Sequence, residues 1–184
     1  MERIVELFNS RLKRAKFIIA GHSMGGALAT LFACSLFQYL GKENNNDRQI
    51  SVITFGAPMC MNQSAADIVK HKLGNELIRF VTSNSRCGSN FNFDIITHLP
   101  LSEAAYSELT QLIEIDERLE GVIKKFAVKD GYVHVGLAVT LRRHYPVSPK
   151  AIVEYILMIH SAALYRENCV KQMELLIYQP ADFK

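Results

Sequence analysis

The sequence predicts an α/β protein of about four mostly parallel strands with flanking helices, and two observations predict it. Short, apolar, β-branched runs alternate along the chain with longer segments of helical spacing, the order in which a parallel sheet is wound. The chain has 184 residues, 49% of them hydrophobic, which suffices for one domain with a real core. Disordered, collagen-like and low-complexity classes are excluded on the same grounds.

The elements follow in order. Residues 2–14 carry Ile4, Val5, Leu7, Phe8 and Leu12 among charges, a helical spacing that leads into a strand at Phe17-Ile18-Ile19-Ala20. From Phe17 to Gly41 no charged side chain occurs, but Gly21, Gly25 and Gly26 interrupt the run too early for a membrane span. They divide it into the strand and a helix rich in Ala and Leu from Ala27 to Leu40, with Gly41 at its end. A polar loop leads to a second strand, Ile50 to Phe55. A helix from about Gln63 to Lys72 is ended by Gly74, and Leu77 to Val81 forms a third strand. Residues 83–93, rich in Ser, Asn and Gly, read as an irregular loop, and 102–126 as a helix with a charged face. Gly131 to Leu141 reads as a fourth strand. Ser148 followed by Pro149 then opens a long helix to about Leu176.

Charge and cysteine content narrow the function. Lys plus Arg number 21 against 18 Asp plus Glu, a net charge of +3, and the basic stretch Arg11 to Lys16 is short, so no nucleic-acid partner is expected. Cys34, Cys60, Cys87 and Cys169 lie far apart without a C-x-x-C pair, and no histidine has metal-ligand spacing; neither a disulfide framework nor a metal site is expected. Met1-Glu2-Arg3-Ile4-Val5-Glu6 mixes acids and bases ahead of any apolar run, unlike a signal peptide, so secretion is not supported by the chain as given. The compartment stays open, with a slight lean to the cytoplasm.

Gly21-His22-Ser23-Met24-Gly25 satisfies G-x-S-x-G, a pentapeptide worth little alone but placed here between a strand and a helix, where it has mechanical meaning. A serine on that sharp turn is held in strained backbone geometry, which calls for close neighbours without side chains. The helix N-terminus beneath it offers N–H groups to an oxyanion. A phosphate-binding turn is the competing reading, but the segment has neither the P-loop lysine nor G-x-G-x-x-G.

Three segments resemble the class 3 lipases, an α/β-hydrolase family of fungal and plant type. Gly21-His22-Ser23-Met24-Gly25-Gly26-Ala27-Leu28-Ala29-Thr30 is similar to the family's nucleophile elbow. Ile53-Thr54-Phe55-Gly56-Ala57-Pro58 is similar to its T-F-G-x-P segment, and Asp94-Ile95-Ile96-Thr97-His98-Leu99-Pro100 to the stretch around its catalytic aspartate. The likeness is good over roughly residues 1–100 and loose beyond. It implies a partial α/β-hydrolase fold, with residues 1–184 forming a single truncated lipase-like domain that corresponds to the family's C-terminal half.

A serine hydroxyl is a weak nucleophile at neutral pH, so Ser23 needs a histidine to take its proton and a carboxylate to orient that histidine. The fold's chain order is Ser, acid, His. Asp94, after the third strand, is the expected acid, although Ser83 to Asn92 stands as an insertion relative to the family. Two histidines qualify by position. His160 lies some twenty residues past the last strand with Tyr165 following, as in the family; His144 lies directly after that strand, in Arg142-Arg143-His144-Tyr145. Against His160 stands an apolar stripe, Ile152, Ile156, Ile159 and Ala163, on its own expected helix. His22 points elsewhere in the family, His71 reads as a surface residue, His98 follows the acid, and His134 alternates within a strand.

The backbone N–H of Met24 is the expected oxyanion donor. Its usual partner, from the loop after the family's third strand, has no counterpart here, a loss of about 100- to 1000-fold in turnover where such donors are removed. The strand at 17–20 is then expected at an exposed sheet edge that invites self-association or pairing with a missing N-terminal half. The resemblance implies a serine hydrolase of acylglycerol or related esters that forms an acyl-enzyme on Ser23. It takes a lipid or other ester substrate, contacts a membrane or lipid surface transiently, and needs no cofactor or metal. The alternative is a noncatalytic lipase-like interaction module or an inactive fragment.

Overall fold

The computed structural model describes residues 16–40, 50–84, 94–103, 131–143 and 159–178, with isolated helical positions at 3, 6, 106, 107, 120, 121 and 124. The expected helices at 2–14 and 102–126 and the expected loop at 83–93 therefore lie wholly or mostly outside the described residues, as does His144; Ser83 and Asn84, expected to open that loop, instead end a strand.

Strands β1 (Phe17–His22), β2 (Ile50–Phe55), β4 (Leu77–Asn84) and β6 (Leu137–Arg143) form one four-stranded sheet in the order β1-β2-β4-β6, every pairing parallel. The strands thus lie in the sheet in the order in which they occur along the chain. The register places Ala20 opposite Ile53, and Ile53 opposite Ile78, so the C-terminal ends of β1 and β2 come level at His22 and Phe55.

Helix α1 (Met24–Leu40) follows β1 directly and lies on one face of the sheet. Ala29, Ala33 and Leu36, one turn or so apart, are buried against Ile50, Val52 and Leu77, and the small side chains allow the helix close to the strands. Helix α2 (Gln63–Leu73) adds Ala66, Val69 and Leu73 to that core. Asn62 caps α2, its Oδ1 accepting from Ala65 N–H, and Gly74 ends it at φ 44° with its N–H donated to Lys70. Among the described residues no helix is long and apolar enough to cross a membrane.

Two expectations need correction. The run 131–141 is not one strand. Tyr132–Val133 forms a short strand, β5, antiparallel to β3 (Met61–Asn62), and the chain then turns at Gly136 into β6. Gly136 has φ 94°, and a β-carbon there would stand 2.3 Å from Leu77 Cδ2; only glycine makes this corner against the start of β4. Nor does one helix run from Ser148 to Leu176. Residues 148–158 lie outside the described residues, Ile159 is helical, the chain leaves the helix at His160 and Ser161, and helix α3 starts at Ala162 and runs to Tyr178, with Ser161 Oγ accepting from Leu164 N–H and the Ser161 carbonyl from Tyr165 N–H. Ser161 acts as an N-cap in the middle of a helical pattern.

Candidate active site

Ser23 stands at the turn between β1 and α1 with φ 57°, the one non-glycine residue at positive φ among those described. Holding a serine there costs about 1–3 kcal/mol, and the surroundings fix it. Its N–H donates to the Phe55 carbonyl at 3.0 Å, prolonging the β1–β2 ladder, while its carbonyl accepts from Gly26 N–H at 2.9 Å. The neighbours that must lack side chains are Gly21 and Gly26. A β-carbon on Gly21 would stand 2.2 Å from Gly25 O, and one on Gly26 would stand 2.7 Å from Ala57 Cβ. Gly25 faces open space, so the close approach expected of both glycines in G-x-S-x-G applies only to the first.

Asp94 lies between β4 and a 3-10 turn, Ile95–His98, and is wholly buried. A buried carboxylate is stable only when its oxygens are well supplied with donors. Oδ1 accepts from Ile96 N–H at 3.2 Å, and Oδ2 from the Tyr165 hydroxyl at 2.6 Å. Both oxygens lie 2.9 Å from His160 Nδ1. Burial first, and then the Asp94 charge, push the Tyr165 phenol far above the usual tyrosine range, so it stays protonated and remains a donor. The Asp94 carbonyl accepts from the Thr97 hydroxyl at 2.7 Å, and the Thr97 carbonyl in turn meets His134 Nε2 at 2.6 Å. His134 is held neutral: burial, then the charge of Arg79, lower its pKa to about 4.

His160 completes the chain. Its Nε2 lies 2.7 Å from Ser23 Oγ. Because a carboxylate only accepts, Nδ1 carries the ring proton and Nε2 is left as an acceptor for the serine hydroxyl. Of the residues singled out in the sequence, the structure thus brings together Ser23, Asp94 and His160, with Met24 as the first residue of α1 beside them. The helix break removes the objection to His160, which sits in the turn rather than on the apolar stripe.

The N–H groups of the first turn of a helix have no acceptor within it, and the first turn of α1 contains no acidic residue to offset its positive end. Met24 is the first residue of that turn, beside Ser23, with its side chain pointing to solvent at 70% exposure. An apolar cleft of about 300 Å³ is lined by His22, Phe55 and Tyr165 together with Ala162, Cys169 and Val170 of α3. Among the described residues no group of His, Cys, Asp and Glu side chains is arranged to hold a metal ion.

Three residues support the site in ways the sequence does not spell out. Gly56, at φ 56°, makes room for Asp94 and Tyr165, a role hinted at only by its place in Thr54-Phe55-Gly56-Ala57-Pro58. Tyr165 stood out as a companion of His160 without an assigned partner. His134 gave no signal at all, since its partner is a main-chain carbonyl far away in sequence.

A family model described as lipase (class 3) matches residues 1–104, more than half of the chain. The triacylglycerol lipase OBL1 of Ricinus communis is 41% identical over 61 residues, 33% of this chain and 11% of that protein. The OBL1 of Arabidopsis thaliana is 35% identical over 78 residues, 42% of this chain and 15% of that protein. The chain thus matches only a small part of the length of these relatives. Among solved structures, M37 lipase superposes with a TM-score of 0.63 at 21% identity, covering 84% of this chain and 45% of the other, a likeness of fold.

Proposed function

The chain belongs to the class 3 lipase family, and on that premise we propose that it is a serine hydrolase of carboxylic esters of the acylglycerol type, with Ser23 as nucleophile. The observation that carries this reading is the unbroken chain of contacts from Ser23 Oγ to His160 Nε2 at 2.7 Å and from His160 Nδ1 to the buried Asp94 at 2.9 Å. The relatives named as triacylglycerol lipases support the substrate class.

In this reading Ser23 Oγ attacks the ester carbonyl carbon while His160 Nε2 takes its proton. Asp94 holds the ring through Nδ1–H and stabilises the imidazolium that forms. The oxyanion of the tetrahedral intermediate faces Met24 N–H at the positive end of α1. The C–O bond to the alcohol then breaks, the alcohol leaves with the proton from His160, and Ser23 keeps the acyl group. Water, deprotonated by His160, attacks that acyl group, releasing the acid and restoring Ser23.

Labelling with a fluorophosphonate tests this, because the probe needs an activated serine. Labelling of the parent chain that is lost in Ser23→Ala and in His160→Ala supports the proposal. A parent chain that resists the probe and leaves p-nitrophenyl esters intact points to the noncatalytic reading instead.

A further inference from the structure

His160 is held from two consecutive residues of the elbow. Ser23 Oγ meets its ring, and His22 Nε2 lies 2.7 Å from its main-chain carbonyl oxygen. A carbonyl only accepts, so His22 is the donor and carries its proton on Nε2. The two imidazoles stand 4.8 Å apart between centroids at 33°, and the Tyr165 ring meets that of His22 edge-on at 5.8 Å.

The break before α3 explains why that carbonyl needs an outside donor. In an unbroken helix the His160 carbonyl would accept from the N–H four residues on, that of Leu164. Here Leu164 N–H is taken by Ser161 Oγ. The carbonyl is released from the helix ladder, and His22 reaches across the site to occupy it. His22 is itself fixed as the last residue of β1, in register with Phe55 of β2. Since His22 and Ser23 are joined by one peptide bond, the two contacts form a closed loop through His160, and the main chain of His160 cannot shift without breaking one of them.

We propose that His22 is a positioning residue of the hydrolytic site, its Nε2–H holding the His160 main chain where the ring reaches Ser23 Oγ. The inference rests on the reading of Ser23 and His160 as nucleophile and base. It treats the second residue of G-x-S-x-G as part of the proton-transfer geometry, acting through the main chain of His160.

The test compares His22→Gln, whose side-chain amide can present an N–H near the Nε2 position, with His22→Phe, which keeps a ring but has no donor. Each is measured for p-nitrophenyl ester hydrolysis, for the rate of fluorophosphonate labelling, and for the proton NMR signal of the His160 Nδ1–H. We expect His22→Phe to lose about tenfold to a hundredfold in kcat with KM little changed, the size of effect that small misplacement of a catalytic group produces. It should also shift or broaden the Nδ1–H signal, and His22→Gln should recover most of both. Equal kcat and an unchanged signal in His22→Phe would overturn the proposal, as would equal losses in the two variants. Should the parent chain prove inert to ester and probe, the function reading fails, and the Nδ1–H signal of the two variants still decides whether His22 positions His160.

Discussion

Gly56 lies so close to Asp94 that a β-carbon on it would stand 2.8 Å from Asp94 Oδ2, and 2.9 Å from the Tyr165 hydroxyl bonded to that oxygen. The glycine after β2 therefore shapes the seat of the Asp94 carboxylate, which reaches it from the 3-10 turn beyond β4. Gly56→Ala should cost about 2–4 kcal/mol, combining a positive φ of 56° with crowding of a buried contact. Activity should fall with it, as Asp94 or Tyr165 is displaced. Denaturant unfolding and ester kinetics on the same sample check this; a variant as stable and active as the parent would show that the seat is looser than these distances imply.

Tyr165 gives the cleanest separation of catalysis from folding. Removing its hydroxyl takes one charge-assisted donor from a carboxylate that is fully buried, worth about 1.5–3 kcal/mol. Tyr165→Phe should lower kcat by about tenfold with KM little changed, because the loss falls on the orientation of His160 and the charge it gains during reaction. Steady-state kinetics decide it. A rise in KM at constant kcat would place the effect on substrate binding instead.

His134 makes a prediction about pH and stability. Its pKa is depressed to about 4 in the folded chain, by burial first and then by Arg79 and His98 facing it, whereas an unfolded histidine titrates near 6.5. Below about pH 6.5 the unfolded state takes up a proton that the folded state refuses, so stability is lost as pH falls toward 4. The contribution of this one group reaches about 3 kcal/mol across that window. Unfolding free energies at pH 7 and pH 4.5 should differ less in His134→Gln than in the parent. An identical pH dependence in the two would mean that His134 does not titrate in this way.

Much of this arrangement is legible in the sequence, for local reasons. The four sheet strands are short β-branched runs bounded by glycines and polar loops, and their chain order matches their order in the sheet. Gly21, Ser23 and Gly26 are recognisable because a strand-to-helix turn needs them within a few residues of one another. Asp94 is legible through its surrounding segment, whereas the choice of His160 depended on a break in the helix that hydrophobic spacing hides. Ile159 and Ala163 continue the apolar stripe on either side of His160, and the signal that ends the turn is one hydroxyl, Ser161 Oγ. In the sequence Gly136 reads as part of a strand because its neighbours Val133, Val135 and Leu137 are apolar; only its contact with Leu77, more than fifty residues earlier, makes the corner. His22 and His134 were not legible as supports, since each donates to a main-chain carbonyl brought near by the fold.

Whether Ser23 passes through an acyl-enzyme with His160 as its base is decided by trapping that intermediate. The chain is mixed with p-nitrophenyl butyrate, quenched in acid within the first turnovers, and examined by intact and peptide mass spectrometry. A gain of one butyryl group is expected on the peptide carrying Ser23, and none in Ser23→Ala. In His160→Ala the rate of its appearance should fall by about a thousandfold or more. Hydrolysis of the ester without acylation of Ser23, or equal acylation in the parent and His160→Ala, would contradict it.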